Sequence, residues 1–334
     1  MNEIQNFIKK LVNRENLLQE EAARAMQIIL LGGATPAQIS SYLTALSTKG
    51  INADEIIGSS LAIKSKMKTY HSPAECFYIN THDGSSRLST SCASAIILRG
   101  CGLNVLTHVP LNRKHNSPHE ILSSWNYNLQ LNLDNYVKIF KETNLIFLPA
   151  SLNLTNYRDI NSIKNELGFE SIFDFLMPFI SPIKISHLIM ETQHLNSKQA
   201  IIESSQMTGI ENLCIFHNNN DENYDVIIIK NSKTIREARI SFAELGLENK
   251  ANINLSPNKL YQYPRTLYER LLFLNEDALM NRIYFETAIS LYICDKANSL
   301  KEGVELVINL IGTKKIHKNM QKLVGASNEL FVTC

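Results

Sequence analysis

At 334 residues the chain is too long for one small domain and long enough to bury a large core without disulfide staples. Its 44% hydrophobic and 19% charged residues are ordinary for a globular protein, and a net charge of +1 supplies no bulk field toward nucleic acid or an anionic membrane. No apolar run reaches membrane-spanning length, and the acid-bearing start MNEIQNFIKKLVNRENLLQEE lacks the apolar core of a signal peptide, so the cytoplasm is the expected location.

Residues 1 to about 70 read as helices only. Ile4, Phe7, Ile8 and Leu11 recur at helical spacing, and a second helix runs from about Gln19 to Leu31 before Gly32-Gly33. The third helix has a local start signal: Thr35 as N-cap, Pro36 in the first turn and Gln38 closing a capping box. Gly50 ends it, and Asn52 and Asp54 open a fourth. Beyond His71-Ser72-Pro73, short apolar runs alternate with helical stretches. The expected strands are Cys76–Asn80, Leu103–Thr107, Leu145–Pro149, His187–Glu191, Leu213–His217 and Asp225–Lys230, with helices at 89–99, 134–142 and 195–206. Such alternation predicts a mainly parallel central sheet covered by helices. The fold class is therefore α/β: a small N-terminal helical domain, 1–70, and a larger α/β domain, 71–334. The C-terminal part is mainly helical, most clearly over Ser299–Leu310, where Ser299 is the N-cap and Glu302 closes the box. Cys76, Cys92, Cys101, Cys214, Cys294 and Cys334 form no CxxC or zinc-finger spacing and read as free thiols.

In an α/β sheet, ligands sit beyond the carboxyl ends of the strands, which singles out three loops. The first holds His82, Asp83, Gly84 and Arg87, then Ser89 and Ser91 at a helix start, where backbone N–H groups and hydroxyls suit a phosphate. The same residue types also make an ordinary strand-to-helix turn. The second runs from Thr107 and His108 through Arg113, Lys114, His115 and Ser117 to His119, with no acid before Glu120. It suits phosphate or simply solvent. The third, Asp221-Glu222-Asn223-Tyr224-Asp225, offers carboxylates to Mg²⁺ or makes a polar hairpin turn.

Further stretches carry a resemblance. Leu17-Leu18-Gln19-Glu20-Glu21-Ala22, Thr35-Pro36-Ala37-Gln38-Ile39, Glu55-Ile56-Ile57-Gly58, Asp83-Gly84, Cys101-Gly102-Leu103, Asn165-Glu166-Leu167-Gly168 and Ser299-Leu300-Lys301-Glu302-Gly303 together resemble the anthranilate phosphoribosyltransferase family over nearly the whole chain. The resemblance implies a helical domain that pairs two copies into a homodimer, with helices around 159–182 packing back on it. It also implies transfer of the phosphoribosyl group of phosphoribosyl pyrophosphate to anthranilate with Mg²⁺, in tryptophan synthesis.

By that resemblance Ser91 and Asp225 are the metal positions. The expected substrate-binding residues are His82, Asp83, Gly84, Ser89, Ser91, Thr107, His108, Ser117 and Lys164, with Arg87, Arg113, Lys114 and His115 of the same loops as replacement donors. The departures fall in the same loops. Where the family has G-T-G-G-D-G, this chain has Ile79-Asn80-Thr81-His82-Asp83-Gly84, and K-H-G-N becomes Thr107-His108-Val109-Pro110. Pro110 has no N–H to give. The family's arginine becomes Lys164, which keeps charge without the bidentate fork, and its D-E pair becomes Tyr224-Asp225. Two readings stand: an active phosphoribosyltransferase, or an impaired member repurposed to bind a phosphate ligand or nucleic acid. A nucleoside-phosphorylase-like activity has no motif in its favour.

Overall fold

The computed structural model describes residues 3–70, 75–80, 90–109, 118–152, 157–193, 195–220, 223–247, 278–311 and 313–332. The chain forms two compact units: Met1–Ser72, Pro149–Ile185 and Gln193–Ile210 in one, and Pro73–Leu148, Ser186–Thr192 and Glu211–Cys334 in the other. The small helical domain and the larger α/β domain expected from the sequence are both present.

The helical unit holds α1 (Glu3–Val12), α2 (Gln19–Leu30), α3 (Pro36–Lys49) and α4 (Ala53–Lys64). Ile4, Phe7 and Leu11 of α1 are buried on one face, as their spacing predicts. The capping box of α3 is formed: Gln38 N–H donates to Thr35 Oγ1 at 3.3 Å, and Thr35 N–H to Gln38 Oε1 at 3.0 Å. Helices α2 and α4 approach closely at Gly58, where a β carbon would lie 2.1 Å from the Gln19 carbonyl oxygen. Beside that contact, the buried Glu55 carboxylate accepts from Leu17 N–H and Asn52 N–H, each at 3.0 Å, and pairs with Lys49 at 3.0 Å. Glu55 thus satisfies two helix-entry amides and one ammonium. The same unit takes in α8 (Tyr157–Leu167), α9 (Ile172–Leu176) and α10 (Lys198–Thr208). The Ser47 hydroxyl of α3 donates to the Glu170 carbonyl at 3.3 Å.

The second unit is built on a seven-stranded sheet of order β3-β2-β1-β4-β5-β6-β7. The strands are β1 (Phe77–Asn80), β2 (Val105–Val109), β3 (Leu145–Pro149), β4 (His187–Glu191), β5 (Asn212–Asn220), β6 (Asn223–Lys230) and β7 (Lys233–Ser241). β1 pairs in parallel with β2 and β4, and β4 with β5. β5, β6 and β7 form an antiparallel meander. The covering helices are α5 (Ser91–Gly100), α6 (Pro118–Ser124), α7 (Leu133–Thr143), α11 (Ala278–Ile293), α12 (Leu300–Leu310) and α13 (Lys314–Val332).

Three sequence expectations are corrected. β2 lies at Val105–Val109 rather than Leu103–Thr107, which puts His108 inside the strand. The expected turn between His217 and Asp225 is mostly strand, because the β5–β6 pairing continues through Asn218↔Tyr224 to Asn220↔Asn223. β7 was not anticipated: it is an edge strand whose residues are mostly exposed, so no apolar run marks it. Among the described residues the cysteines are free, and no helix is long and apolar enough to cross a membrane.

Candidate functional site

The carboxyl ends of the parallel strands and the first turn of α5 define the candidate site within the α/β unit. Ser91 opens α5 and is buried. A helix start carries unsatisfied backbone N–H groups and the positive end of the macrodipole, both suited to an anion. A buried polar network ties this turn to α11. Ser94 Oγ donates to Glu286 Oε2 at 2.6 Å, and Thr90 Oγ1 donates to Glu286 Oε1. Arg282 Nε donates to the same Oε1 at 3.0 Å and lies 3.2 Å from Thr90 Oγ1. The other arm of the Arg282 guanidinium pairs with Glu191, the last residue of β4. One guanidinium therefore joins two buried carboxylates, and through Thr90 and Ser94 it fixes the orientation of the α5 start.

That network escaped the sequence reading. Arg282 and Glu286 stand four apart on a strongly apolar helix, which is a legible signal of a buried pair. Their contact with Glu191, on a strand far away in the chain, has no local sign.

The second expected loop begins on groups already engaged. The buried Thr107 hydroxyl donates to the Ile79 carbonyl at 2.7 Å, joining β2 to β1. His108 Nδ1 and Tyr78 Oη are 2.8 Å apart, and the rings pack at 5.5 Å. Burial pushes the His108 imidazole down to about 3, so it is neutral near pH 7 and meets a ligand as a hydrogen-bonding group rather than a cation.

Asp225 lies near the start of β6, at the same edge of the sheet as the carboxyl end of β5. Its oxygens accept from Arg239 Nε at 2.9 Å and Nη2 at 3.3 Å, and this pairing holds the carboxyl below the usual carboxylate range. Tyr224 points to the opposite face, is buried, and stacks on Phe285 with centroids 4.2 Å apart. Phe216 and Phe242 complete that aromatic cluster. Tyr224, which the resemblance aligns with the first acid of a D-E pair, is thus core, and Asp225 is the hard oxygen donor of the two. Its partner Arg239 is well exposed, so the pair is screened by solvent and weak. A carboxylate held so loosely could serve as a hard oxygen donor to a divalent ion such as Mg²⁺, so the donor chemistry fits the ion. Among the described residues no cluster of His, Cys, Asp or Glu is set to hold a metal without a ligand's help.

Lys164 belongs to the helical unit, where it pairs with Asp174, the carboxylate that also accepts from Ser171 N–H at 2.8 Å. His82, Asp83, Gly84, Arg87, Ser89, Arg113, Lys114, His115 and Ser117 lie outside the described residues, as do Asp221 and Glu222.

Comparison with known proteins agrees with this architecture. Residues 5–67 match the helical bundle domain of a glycosyl transferase family, and residues 82–315 match the a/b domain of that family. An anthranilate phosphoribosyltransferase of Methanobrevibacter smithii is 26% identical over 97% of this chain and 99% of its own length. One from Rhizobium rhizogenes is 26% identical over 98% and 99%. The crystal structure of the Thermus thermophilus anthranilate phosphoribosyltransferase superposes with a TM-score of 0.81 at 19% identity, covering 98% of this chain and 100% of that one. The Saccharomyces cerevisiae enzyme, in complex with phosphoribosyl pyrophosphate and Mg, gives 0.81 at 17% identity and 98% coverage of both chains. The chain belongs to the glycosyl transferase family of the anthranilate phosphoribosyltransferases.

Proposed function

We propose that this protein transfers the phosphoribosyl group of phosphoribosyl pyrophosphate to the amine of anthranilate, a step of tryptophan synthesis, with Mg²⁺ as cofactor. The observation that carries the reading is end-to-end correspondence: the helical and α/β parts run in the same order across nearly the whole of this chain and of relatives bearing that name. In the reaction the bond between the ribose C1 and the pyrophosphate oxygen breaks, a bond from C1 to the anthranilate nitrogen forms, and the amine gives up a proton. Such a transfer proceeds by positioning and electrostatic stabilisation and requires no covalent nucleophile.

Each described group has a place in that scheme. The α5 start and Ser91 receive a phosphate of the substrate. The Arg282–Glu286 network keeps that turn rigid. Ser91 and Asp225, with the substrate's own phosphates, would hold Mg²⁺, which when bound neutralises charge on the departing pyrophosphate. His108, being neutral, offers a hydrogen bond without adding charge. Lys164 is assigned to the anthranilate carboxylate, in exchange for Asp174. His82, Asp83, Gly84, Arg87 and Ser89 are assigned to the pyrophosphate, and Arg113, Lys114, His115 and Ser117 to the flanks of the substrate; Thr107, expected to bind substrate, is instead buried in β2 with its hydroxyl given to Ile79. The protein is read as a cytoplasmic homodimer paired through its helical part. No observation among the described residues favours the nucleic-acid-binding alternative.

A calorimetric titration with phosphoribosyl pyrophosphate tests the reading. Saturable binding that strengthens on adding Mg²⁺ is expected. No binding in the presence of Mg²⁺ would overturn it.

A further inference from the structure

The helical unit contains a cavity of about 360 Å³ that none of the groups above uses. Three pieces of chain wall it: Lys64, Thr69 and Tyr70 beyond α4, the stretch Pro178–Ile185, and Thr208 with Ile210 at the end of α10. The first two pieces are pinned together, since Tyr70 N–H donates to the Pro182 carbonyl at 2.8 Å.

Its chemistry is two-sided. Phe179, Ile183, Ile185 and Ile210 make an apolar wall. Two lysines, Lys64 and Lys184, line it as well. The Lys184 ammonium is held beside the negative end of α10, 3.9 Å from where a β carbon on Gly209 would lie. Among the described residues no aspartate or glutamate lines the cavity. The neighbouring sequence repeats the imbalance: between Glu55 and Glu75 there is no acid, while Lys64, Lys66 and Lys68 alternate along it. Lys68 lies over the Tyr70 ring at 5.2 Å, which adds charge at the same wall.

Hydroxyl donors are present as well. The Ser181 oxygen accepts from Ile183 N–H at 3.2 Å, which leaves its own proton to give. Thr69 is exposed at the rim. The Thr208 hydroxyl is already spent on the Ser204 and Ser205 carbonyls. Burial pushes the Lys64 ammonium down from its ordinary range, a penalty that a bound anion would relieve.

We propose that this cavity is a binding site for a phosphomonoester carrying an apolar or aromatic body, distinct from the site at the carboxyl ends of the strands. The two ammonium groups and the Ser181 and Thr69 hydroxyls match a tetrahedral dianion with several acceptor oxygens. The isoleucines and Phe179 match its body. None of the residues that line the cavity is among those described at the strand ends and the start of α5. The inference does not depend on the proposed transfer reaction.

Isothermal titration of the full chain with phenyl phosphate, at low salt, tests it. One saturable site is expected, with inorganic phosphate and benzoate each binding at least about tenfold more weakly because each lacks one half of the match. Lys184→Gln, at an exposed residue, is expected to weaken phenyl phosphate about tenfold, and Lys64→Gln/Lys184→Gln to abolish measurable binding. Phosphoribosyl pyrophosphate should neither displace phenyl phosphate nor lose affinity in these variants. The proposal is overturned by absence of saturable binding, by equal affinity for inorganic phosphate or benzoate, by unchanged binding in the lysine variants, or by displacement with phosphoribosyl pyrophosphate.

Discussion

Arg239 of β7 stands directly across from Asp225 of β6, and its guanidinium donates to both oxygens of that carboxylate. The pair is exposed, so it holds Asp225 in place at little energetic cost. Arg239→Ala should therefore leave the urea midpoint close to that of the unaltered protein. Asp225→Asn should instead raise the Mg²⁺ concentration needed for phosphoribosyl pyrophosphate binding several-fold, measured by titrating the metal at fixed substrate. Equal Mg²⁺ requirements in Asp225→Asn and the unaltered protein would remove Asp225 from the metal.

Arg282 binds two buried carboxylates at once. Removing its charge leaves Glu191 and Glu286 uncompensated away from water, a change that costs roughly 3–5 kcal/mol. Arg282→Met should lower the midpoint of urea unfolding by that equivalent without altering its slope. Arg282→Met/Glu286→Leu, which deletes one of the two carboxylates as well, should recover part of the loss. If Arg282→Met unfolds at the same urea concentration as the parent, the network does not hold α5 to α11.

His108 carries a pH signature. Its folded-state value of about 3 lies below the ordinary 6.5, so between those values the unfolded chain binds a proton that the folded one does not. Stability is then fully present above pH 6.5 and is lost as pH falls, by about 2 kcal/mol on reaching pH 5. His108→Gln, which keeps a hydrogen-bonding group beside Tyr78, should flatten this part of the stability curve. A curve that keeps its slope in the variant would assign the effect to another group.

Gly58 is set by contact rather than by backbone angle. A methyl group there would meet the Gln19 carbonyl oxygen at 2.1 Å, so α2 and α4 must part. Gly58→Ala should cost roughly 1–3 kcal/mol, although alanine is the better helix former by about 1 kcal/mol. Thermal unfolding reads the sign directly, and a gain in stability would mean the two helices have room to shift.

What the sequence reveals follows the range of each interaction. The start of α3 was legible because Thr35, Pro36 and Gln38 complete its cap within four consecutive positions. β1, β3 and β4 were legible as apolar runs, since each is buried along most of its length. β7 was not, because its outward-facing Lys233, Arg236 and Arg239 read as a solvated segment until paired with β6. Ser91, His108 and Asp225 were singled out as candidates through their resemblance to a family pattern. The partners that decide their behaviour, Tyr78 for His108 and Arg239 for Asp225, come from neighbouring strands and were not. Tyr224 is the clearest instance: lost as a metal carboxylate in the sequence comparison, it is a stacking partner of Phe285 in the fold.

The central claim is the transfer reaction itself, and phosphorus NMR follows it without a coupled enzyme. The full chain is mixed with phosphoribosyl pyrophosphate, Mg²⁺ and anthranilate, and the release of free pyrophosphate is recorded over time. Release is expected to require anthranilate, to stop on chelating Mg²⁺ and to be slowed by Asp225→Asn. Signals that remain those of intact phosphoribosyl pyrophosphate at saturating anthranilate and Mg²⁺ would contradict that claim.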